Sequence, residues 1–234
     1  MERLNNFWDN GLDRYLAIED ESRKTVLYPK IQSIVSSLNP SAVLDYGCGN
    51  GEILDIIARS TNAAISAYDP SLSAVKAIRR RLGDQRVTIY QDSLDIKPAA
   101  HDVIICSLVI MTIPNEAGLK ELAANIRKAK TANGVGIFSI THPCFRDEQF
   151  SSFITEYTNK TAFNYFDEGR PFEVTIFDRT SDNKIQFKDY HWSLSKTINT
   201  LISAGLEIKE LVEVRDISGV GNTYYPPYLI IVTE

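Results

Sequence analysis

The segment that most constrains this chain is S-A-V-L-D-Y-G-C-G-N-G, which covers residues 41–51. A short apolar run ends in Asp45, glycines follow at positions 47, 49 and 51, and an apolar-periodic stretch comes next. That order predicts a β-strand, a tight turn and a helix. Glycine at every second position lets backbone amides come close to a ligand, because no Cβ atom blocks the approach.

A second acid lies at the end of the next predicted strand. Asp69 follows the run A-I-S-A-Y, and an acid at this position is placed to accept hydrogen bonds from a ribose. The motifs L-D-Y-G-C-G-N-G and A-Y-D-P-S resemble the signature of class I S-adenosylmethionine-dependent methyltransferases. Within that family the chain is most similar to the small-molecule branch of type 11/25. The resemblance implies S-adenosylmethionine as cofactor and S-adenosylhomocysteine as product.

Two other interpretations of the glycines are open. A dinucleotide-binding turn has the pattern G-x-G-x-x-G, but Glu52 and Ile53 stand where its third spaced glycine would fall. A turn with only a structural role is the other alternative. Asp45 favours the methyltransferase interpretation, because a carboxylate near the loop attracts a ligand that carries an ammonium and a sulfonium.

The resemblance also assigns residues to the cofactor site. Most of them follow predicted strands, whose carboxyl ends form the ligand edge of such a sheet. The residues expected to contact the cofactor are Tyr15, Asp45, Gly47, Cys48, Gly49, Asp69, Pro70, Asp92, Ser93, Ser107 and Leu108. Asp92 has a second interpretation as a turn residue.

Strands alternate with helices through the first 140 residues, which predicts an α/β fold with a doubly wound, mostly parallel sheet. We expect seven strands in the Rossmann-like methyltransferase arrangement, with the final strand antiparallel. The fifth strand is predicted at Val135–Ile140, after a turn at Asn133–Gly134. The single domain 1–234 divides into four parts. These parts are an N-terminal helical lid (1–39), a cofactor-binding core (40–140), an inserted α/β cap (141–192), and a C-terminal helix with the last two strands (193–234).

The cap is predicted from an unusually long connection of about fifty residues after the fifth strand. It is rich in aromatic residues and contains two alternating runs, 172–177 and 184–190, separated by a polar turn. These runs predict a β-hairpin that covers the ligand edge and helps to hold the acceptor. An oligomer interface or simple lid packing is the alternative.

The N-terminal segment F-W-D-N-G-L-D-R-Y-L resembles the lid of many small-molecule methyltransferases. By that resemblance, Tyr15 closes on the methionine end of the cofactor and Tyr28 faces the acceptor. Both tyrosines could instead only pack the N-terminal helices onto the domain.

Methyl transfer from a sulfonium needs chiefly positioning and desolvation. A hydroxyl or amine acceptor also needs a base, for which a histidine is suited at neutral pH. His191 and His142 are expected at the ligand edge and are the candidate bases, with Tyr28 as a third catalytic candidate, whereas His101 is expected to be structural. A carboxylate or phosphonate acceptor would need no base, only charged groups to bind it. The acceptor contacts expected are Tyr28, Arg146, Tyr165, Arg170 and His191.

One departure from the family pattern concerns an arginine. Small-molecule methyltransferases often carry a His-Arg pair before the helix that follows the cap, and here Trp192 stands in place of the arginine. Arg170 or Arg146 in the cap could supply the missing anion contact.

The net charge of −5 argues against nucleic-acid binding. Three widely spaced cysteines predict neither a disulfide framework nor a metal site. The N-terminus lacks a secretory pattern, and no stretch is apolar enough for a membrane span. We therefore expect a cytoplasmic monomer or homodimer that acts on a small molecule, in the biosynthesis of a secondary metabolite. A protein or nucleic-acid methyltransferase and a non-catalytic cofactor-binding subunit are the rival interpretations.

Overall fold

The computed structural model describes residues 22–83, 86–146, 148–150, 153–156, 164–178, 182–216 and 223–234. A π-helical turn, Arg23–Leu27, leads into the first described helix, α1 (Tyr28–Leu38). The later helices are α2 (Glu52–Ser60), α3 (Leu72–Leu82), α4 (Glu116–Ala129) and α5 (Leu194–Ser203). Short 3-10 turns lie at Ser93–Asp95, Ile110–Thr112 and Pro143–Phe145. Residues 1–21 of the predicted lid lie outside the described part, and so does Tyr15.

Ten strands in the described part of the chain form two sheets. The strands are β1 (Ala42–Tyr46), β2 (Ala64–Tyr68), β3 (Thr88–Tyr90), β4 (His101–Ser107), β5 (Lys130–Thr141), β6 (Phe153–Glu156), β7 (Arg170–Phe177), β8 (Lys184–His191), β9 (Ile208–Val214) and β10 (Tyr228–Thr233). The larger sheet has seven strands in the order β3-β2-β1-β4-β5-β10-β9. Strands β1 to β5 are parallel, and β10 is antiparallel to both of its neighbours. The predicted fold class is confirmed.

Local sequence signals account for the helix boundaries. The Ser71 hydroxyl accepts a hydrogen bond from the Ala74 amide at the start of α3, and Gly83 ends that helix with φ +78°. Helix α1 has Pro29 in its first turn and ends at Asn39, whose φ of +45° is left-handed. These boundaries agree with the sequence prediction.

Both faces of the large sheet are covered, which explains the nearly continuous apolar character of its central strands. One apolar cluster includes α1 and α2, with Ile31, Leu54 and Ile57 fully buried. The other includes α4 and α5, where Ile126 and Leu201 are buried. Each such side chain contributes about 1.5 to 3 kcal/mol of burial free energy. The two clusters hold the strand ends, and therefore the ligand edge, in fixed positions.

Strand β5 begins earlier than predicted. It starts at Lys130, and its register with β4 shifts, so that Asn133 and Gly134 lie within an irregular part of the strand rather than in a turn before it. The Lys130 ammonium donates to the carbonyls of Thr131, Ala132 and Gly134 at 3.2, 3.5 and 2.8 Å. These hydrogen bonds satisfy carbonyl groups that the irregular ladder leaves without strand partners.

The smaller sheet belongs to the cap and has the order β6-β7-β8, with both pairs antiparallel. The predicted hairpin is β7-β8, while β6 is an additional strand. Two contacts place this sheet at the carboxyl edge of the large one. Trp192 Nε1 donates to the carbonyl of Ile113, just beyond β4, at 2.9 Å, and the ring of Phe153 lies 5.9 Å from that of Tyr228. Within the described ranges, no helix has the length and apolar character that crossing a membrane requires.

Candidate functional site

The three glycines of the loop after β1 all have positive φ, at +83°, +51° and +71° for Gly47, Gly49 and Gly51. Two of them are required by packing. A Cβ on Gly47 would lie 2.4 Å from Val109 Cγ2, and one on Gly51 would lie 2.6 Å from Ile78 Cγ1. A Cβ on Gly49 would have no atom within 4 Å. Of the three, only Gly49 faces open space.

The amides of this loop are directed into the protein. The N–H groups of Gly47 and Cys48 donate to the carbonyl of Tyr68 at 2.7 and 3.0 Å, and that of Gly49 donates to Asp69 Oδ2 at 2.9 Å. A phosphate-binding loop instead directs its amides at the anion. This arrangement therefore argues against a pyrophosphate ligand and in favour of a ligand that does not need an amide cradle.

Asp45 lies at the end of β1 and is 1% exposed. Its Oδ2 atom has no hydrogen-bond partner among the described residues. Burial, with the charge of Asp69 as a second cause, raises the pKa of Asp45 to about 8. A buried carboxyl without a partner is costly, and a cationic group placed against it would remove that cost.

Asp69 and Asp92 lie at the ends of β2 and β3, as predicted. Asp69 accepts from the amide of Ser71 through Oδ1 at 2.9 Å, in addition to its bond with the loop. Asp92 is exposed and accepts from the Leu94 amide at 2.9 Å, so it has the turn role that was its second interpretation. Pro70 is exposed beside Asp69, and Ser93 is half-buried beside Asp92.

The exit of β4 is bent by a residue in a left-handed conformation. Leu108 has φ +58°, which costs a non-glycine residue about 1 kcal/mol, and its amide donates to the carbonyl of Ser139 at 2.8 Å. The hydroxyls of Ser107 and Ser139 lie 2.7 Å apart. The bend positions Val109 against Gly47, and thereby joins the β4 exit to the glycine loop.

Arg146 lies beyond the carboxyl end of β5 and is 4% exposed. Its guanidinium carbon lies 4.5 Å from the centre of the Phe172 ring, and the guanidinium donates to the Thr141 hydroxyl. Burial lowers the pKa of both His142 and His191, and the positive charge of Arg146 lowers each of them further. The structure thus brings two predicted residues, His142 and His191, within the electrostatic influence of a third, the buried Arg146.

The two candidate bases differ in their surroundings. His142 Nδ1 accepts from the Cys144 amide at 3.3 Å, and its Nε2 lies 3.2 Å from Glu213 Oε1, so both ring nitrogens have protein partners. His191 is fully buried, and its Nε2 donates to the carbonyl of Tyr165 at 2.9 Å. The ring of His191 is therefore held in one orientation on the inner face of β8.

Other predicted acceptor contacts take structural partners. The Tyr165 hydroxyl accepts from the amide of Leu194, at the start of α5, at 2.8 Å. Arg170 is half-buried and donates to Asp167 at 3.1 Å. Tyr28 is buried at the start of α1. Each of these three side chains therefore has its own structural surroundings, and they do not form one cluster.

Comparisons with known proteins agree with this geometry. Residues 44–135 match the family model described as a methyltransferase domain. A ubiquinone biosynthesis O-methyltransferase of Xylella fastidiosa is 30% identical over 98 residues, which cover 39% of this chain and 39% of that protein. Over this segment the chain is similar to class I S-adenosylmethionine-dependent methyltransferases. The resemblance inferred from the two sequence motifs is confirmed.

Solved structures support the fold assignment. An S-adenosylmethionine-dependent methyltransferase of Clostridium acetobutylicum superposes with a TM-score of 0.61 at 14% identity, covering 88% of this chain and 89% of the other. The CcbJ methyltransferase of Streptomyces caelestis gives a TM-score of 0.64 at 12% identity, with 88% of each chain covered. At these identities the similarity is one of fold.

The residues around the glycine loop fit the family's cofactor. S-adenosylmethionine carries an ammonium and a sulfonium. The strand before the loop ends in Asp45, whose Oδ2 has no hydrogen-bond partner among the described residues, and Gly49 within the loop faces open space. Asp69 supplies a second carboxylate at the next strand end. Because two carboxylates lie at the strand ends and the loop amides already donate to protein oxygens, the site suits a cation better than a phosphate. The described ranges contain no group of three or more side chains that could hold a metal ion.

One polar residue of the cap is missing from the sequence-based site. Asp189 is 4% exposed, and its Oδ1 has no hydrogen-bond partner in the described structure. Burial raises the pKa of Asp189 to about 7, while the charge of Arg146 acts in the opposite direction. A signal was present in the sequence. Every second residue of β8 is buried, namely Ile185, Phe187, Asp189 and His191. This two-residue period of a strand places an acid on the inner face.

Proposed function

We propose that this protein transfers a methyl group from S-adenosylmethionine to a hydroxyl, amine or carboxylate of a small molecule. The observation that carries the proposal is the buried Asp45 carboxyl at the end of β1, one oxygen of which has no hydrogen-bond partner among the described residues. Gly49, in the loop that follows, faces open space. The curated relative is named as an O-methyltransferase of ubiquinone biosynthesis, which supports a small-molecule acceptor and a biosynthetic role. A secondary metabolite synthesised in the cytoplasm by a monomer or homodimer is the most specific form of this proposal.

Each acid at the strand ends has a proposed task. Asp45 binds the ammonium of the cofactor, Asp69 accepts hydrogen bonds from its ribose, and Asp92 with the neighbouring Ser93 amide contacts the adenine. When bound, the cofactor supplies a methyl group that is already activated by the positive sulfur. The protein therefore has to position the acceptor, exclude water and, where the acceptor loses a proton, receive that proton.

The cap supports an enclosed acceptor site. Arg146, Phe172 and His191 are buried, and the rings of Phe145 and Tyr225 stack with their centres 4.7 Å apart. Apolar walls with a few fixed polar groups are typical of small-molecule sites. His191 and His142 are the candidate bases, and both ring nitrogens of His142 have protein partners, the Cys144 amide and Glu213.

The first test is binding of S-adenosylhomocysteine, measured by thermal shift and calorimetry on the full chain. At a hundredfold excess over Kd, the ligand should stabilise the fold by about 2.7 kcal/mol. Asp45→Asn should weaken binding, whereas Asp182→Asn, the same change at an exposed position of the hairpin turn, should not. No stabilisation of the wild type at any concentration would overturn the cofactor assignment.

The acceptor class is tested separately, with S-adenosylmethionine labelled on its methyl group and an extract of the source organism. Label in the small-molecule fraction supports the proposal. Label in protein or nucleic acid contradicts the acceptor class while leaving the cofactor assignment intact. Binding without label in any fraction favours a non-catalytic cofactor-binding subunit.

A further inference from the structure

The cap contains a second buried acid for which the assignments above provide no role. Asp189 lies on the inner face of β8, two residues before His191, and pairs in the sheet with Phe172 on β7. Its side chain is as buried as that of Arg146, at 4% exposure for each residue. A carboxyl group in this position needs an explanation, because an apolar residue of similar size would be cheaper to bury.

The surroundings of Asp189 combine a cation with an open hydrogen-bonding position. Arg146 stacks on Phe172, the cross-strand neighbour of Asp189, and its charge favours the ionised carboxylate. Among the described groups, Arg146 is the one whose charge acts on Asp189, and the nearby histidines are held neutral by burial. Asp189 Oδ1 accepts no hydrogen bond from any of them.

The position of Asp189 relative to the cofactor loop follows from three linked contacts. Gly47 packs against Val109 at the β4 exit. The chain then continues to Ile113, whose carbonyl is bound by Trp192, and Trp192 directly follows β8. These contacts bring the C-terminal end of β8, two residues after Asp189, to the β4 exit that packs against the glycine loop, and this is the edge where such sheets bind their ligands.

We propose that Asp189 is a catalytic residue that accepts the proton of the acceptor, and that the acceptor is a hydroxyl or an amine rather than a carboxylate. This inference rests on the proposed methyl transfer. The acceptor oxygen or nitrogen bonds to the methyl carbon, and the electron pair of the broken C–S bond stays on sulfur. The proton of the acceptor O–H or N–H moves to Asp189 Oδ1 and is released to solvent with the product.

The substrate class follows from the charge that the carboxylate carries. An ionised Asp189 accepts a hydrogen bond from an O–H or N–H group, whereas it repels an acceptor that is itself a carboxylate. A carboxylate acceptor would also need no proton acceptor at all. In this arrangement His191, whose Nε2 is bound to the Tyr165 carbonyl, lies beside the acceptor without having to receive its proton.

The activity test compares Asp189→Asn with the wild type and with Asp182→Asn, an exposed control with the same chemical change. Turnover of labelled methyl into the small-molecule fraction should fall roughly 100- to 10,000-fold in Asp189→Asn, with the S-adenosylhomocysteine affinity unchanged. With the cofactor at saturation, the wild-type rate should rise with pH up to about 7 and then level off. The Asn variant should lose this dependence, and Asp189→Glu should recover part of the rate.

A second measurement needs no acceptor and so separates this inference from the proposed function. The carboxyl signals of aspartate labelled with ¹³C are followed by NMR during a pH titration. One signal should titrate near pH 7 and be missing in Asp189→Asn. A titration near pH 4, a wild-type pH profile in the Asn variant, or methylation confined to carboxylates would overturn the role of Asp189. An absence of cofactor binding would instead count against the proposed function.

Discussion

Asp45 makes cofactor binding depend on pH in a way that can be calculated. Its carboxyl is buried with a pKa of about 8, and it has to be ionised to pair with the ammonium of the ligand. The competent fraction of the free protein is then about 0.01 at pH 6 and about 0.5 at pH 8. The affinity for S-adenosylhomocysteine should therefore increase about 50-fold over this interval, which corresponds to about 2.3 kcal/mol.

The assay is isothermal titration calorimetry at pH 6, 7 and 8, repeated in buffers of different ionisation enthalpy. At pH 7 about 0.9 proton per ligand should be released, since most of the free protein carries the Asp45 proton at that pH. Asp45→Asn should abolish both the proton release and the pH dependence, and Asp182→Asn should retain them. An affinity that is constant between pH 6 and 8, without proton release, would refute the assignment of Asp45 to the ammonium.

Three further predictions concern the loop and the cap. Gly47→Ala should lower the free energy of unfolding in urea by about 3 kcal/mol, since its Cβ would overlap Val109, whereas Gly83→Ala, with a similar φ and open space, should cost about 1 kcal/mol. Equal losses would contradict the packing argument. For Asp189, the unfolded carboxyl releases its proton near pH 3.9 and the folded one near pH 7. The Asp189 carboxyl should thus contribute a fall of up to about 4 kcal/mol in stability as the pH rises from 4 to 7, in addition to the fall that Asp45 causes. The slope should be smaller in Asp189→Asn than in the wild type, and an unchanged slope would be inconsistent with this origin. His191→Ala should lower turnover and leave S-adenosylhomocysteine binding intact; wild-type turnover would remove His191 from the mechanism.

The sheet and the position of its ligand edge could be predicted from the sequence because they depend on local and periodic signals. The glycine turn, the Ser71 cap and the Gly83 stop each act within a few residues of their own position. The hairpin β7-β8 was predicted for the same reason, since alternation is visible along each strand. Strand β6 was missed because four residues are too few for a periodic signal.

The roles of individual site residues were harder to predict, because they depend on partners distant in the sequence. A glycine is needed at position 47 because a Cβ there would overlap Val109. The Tyr165 hydroxyl accepts from the amide of Leu194, which is distant in the sequence. Nothing in the local sequence of Leu108 indicates a left-handed residue at the β4 exit. Asp189 could have been found, because the alternation along β8 places it on the inner face with His191.

The cap is one contiguous segment of the chain, which affects how the protein can diverge in evolution. The match to the methyltransferase family model ends at residue 135, within β5, and the cap follows as one uninterrupted segment that ends where α5 begins. Genetic exchange at two points, one on each side of the cap, could replace the acceptor-facing segment while keeping the cofactor loop. The incoming segment would have to reproduce the contacts that Arg146 makes with Thr141 and Trp192 makes with Ile113, which fasten both ends of the cap to the sheet.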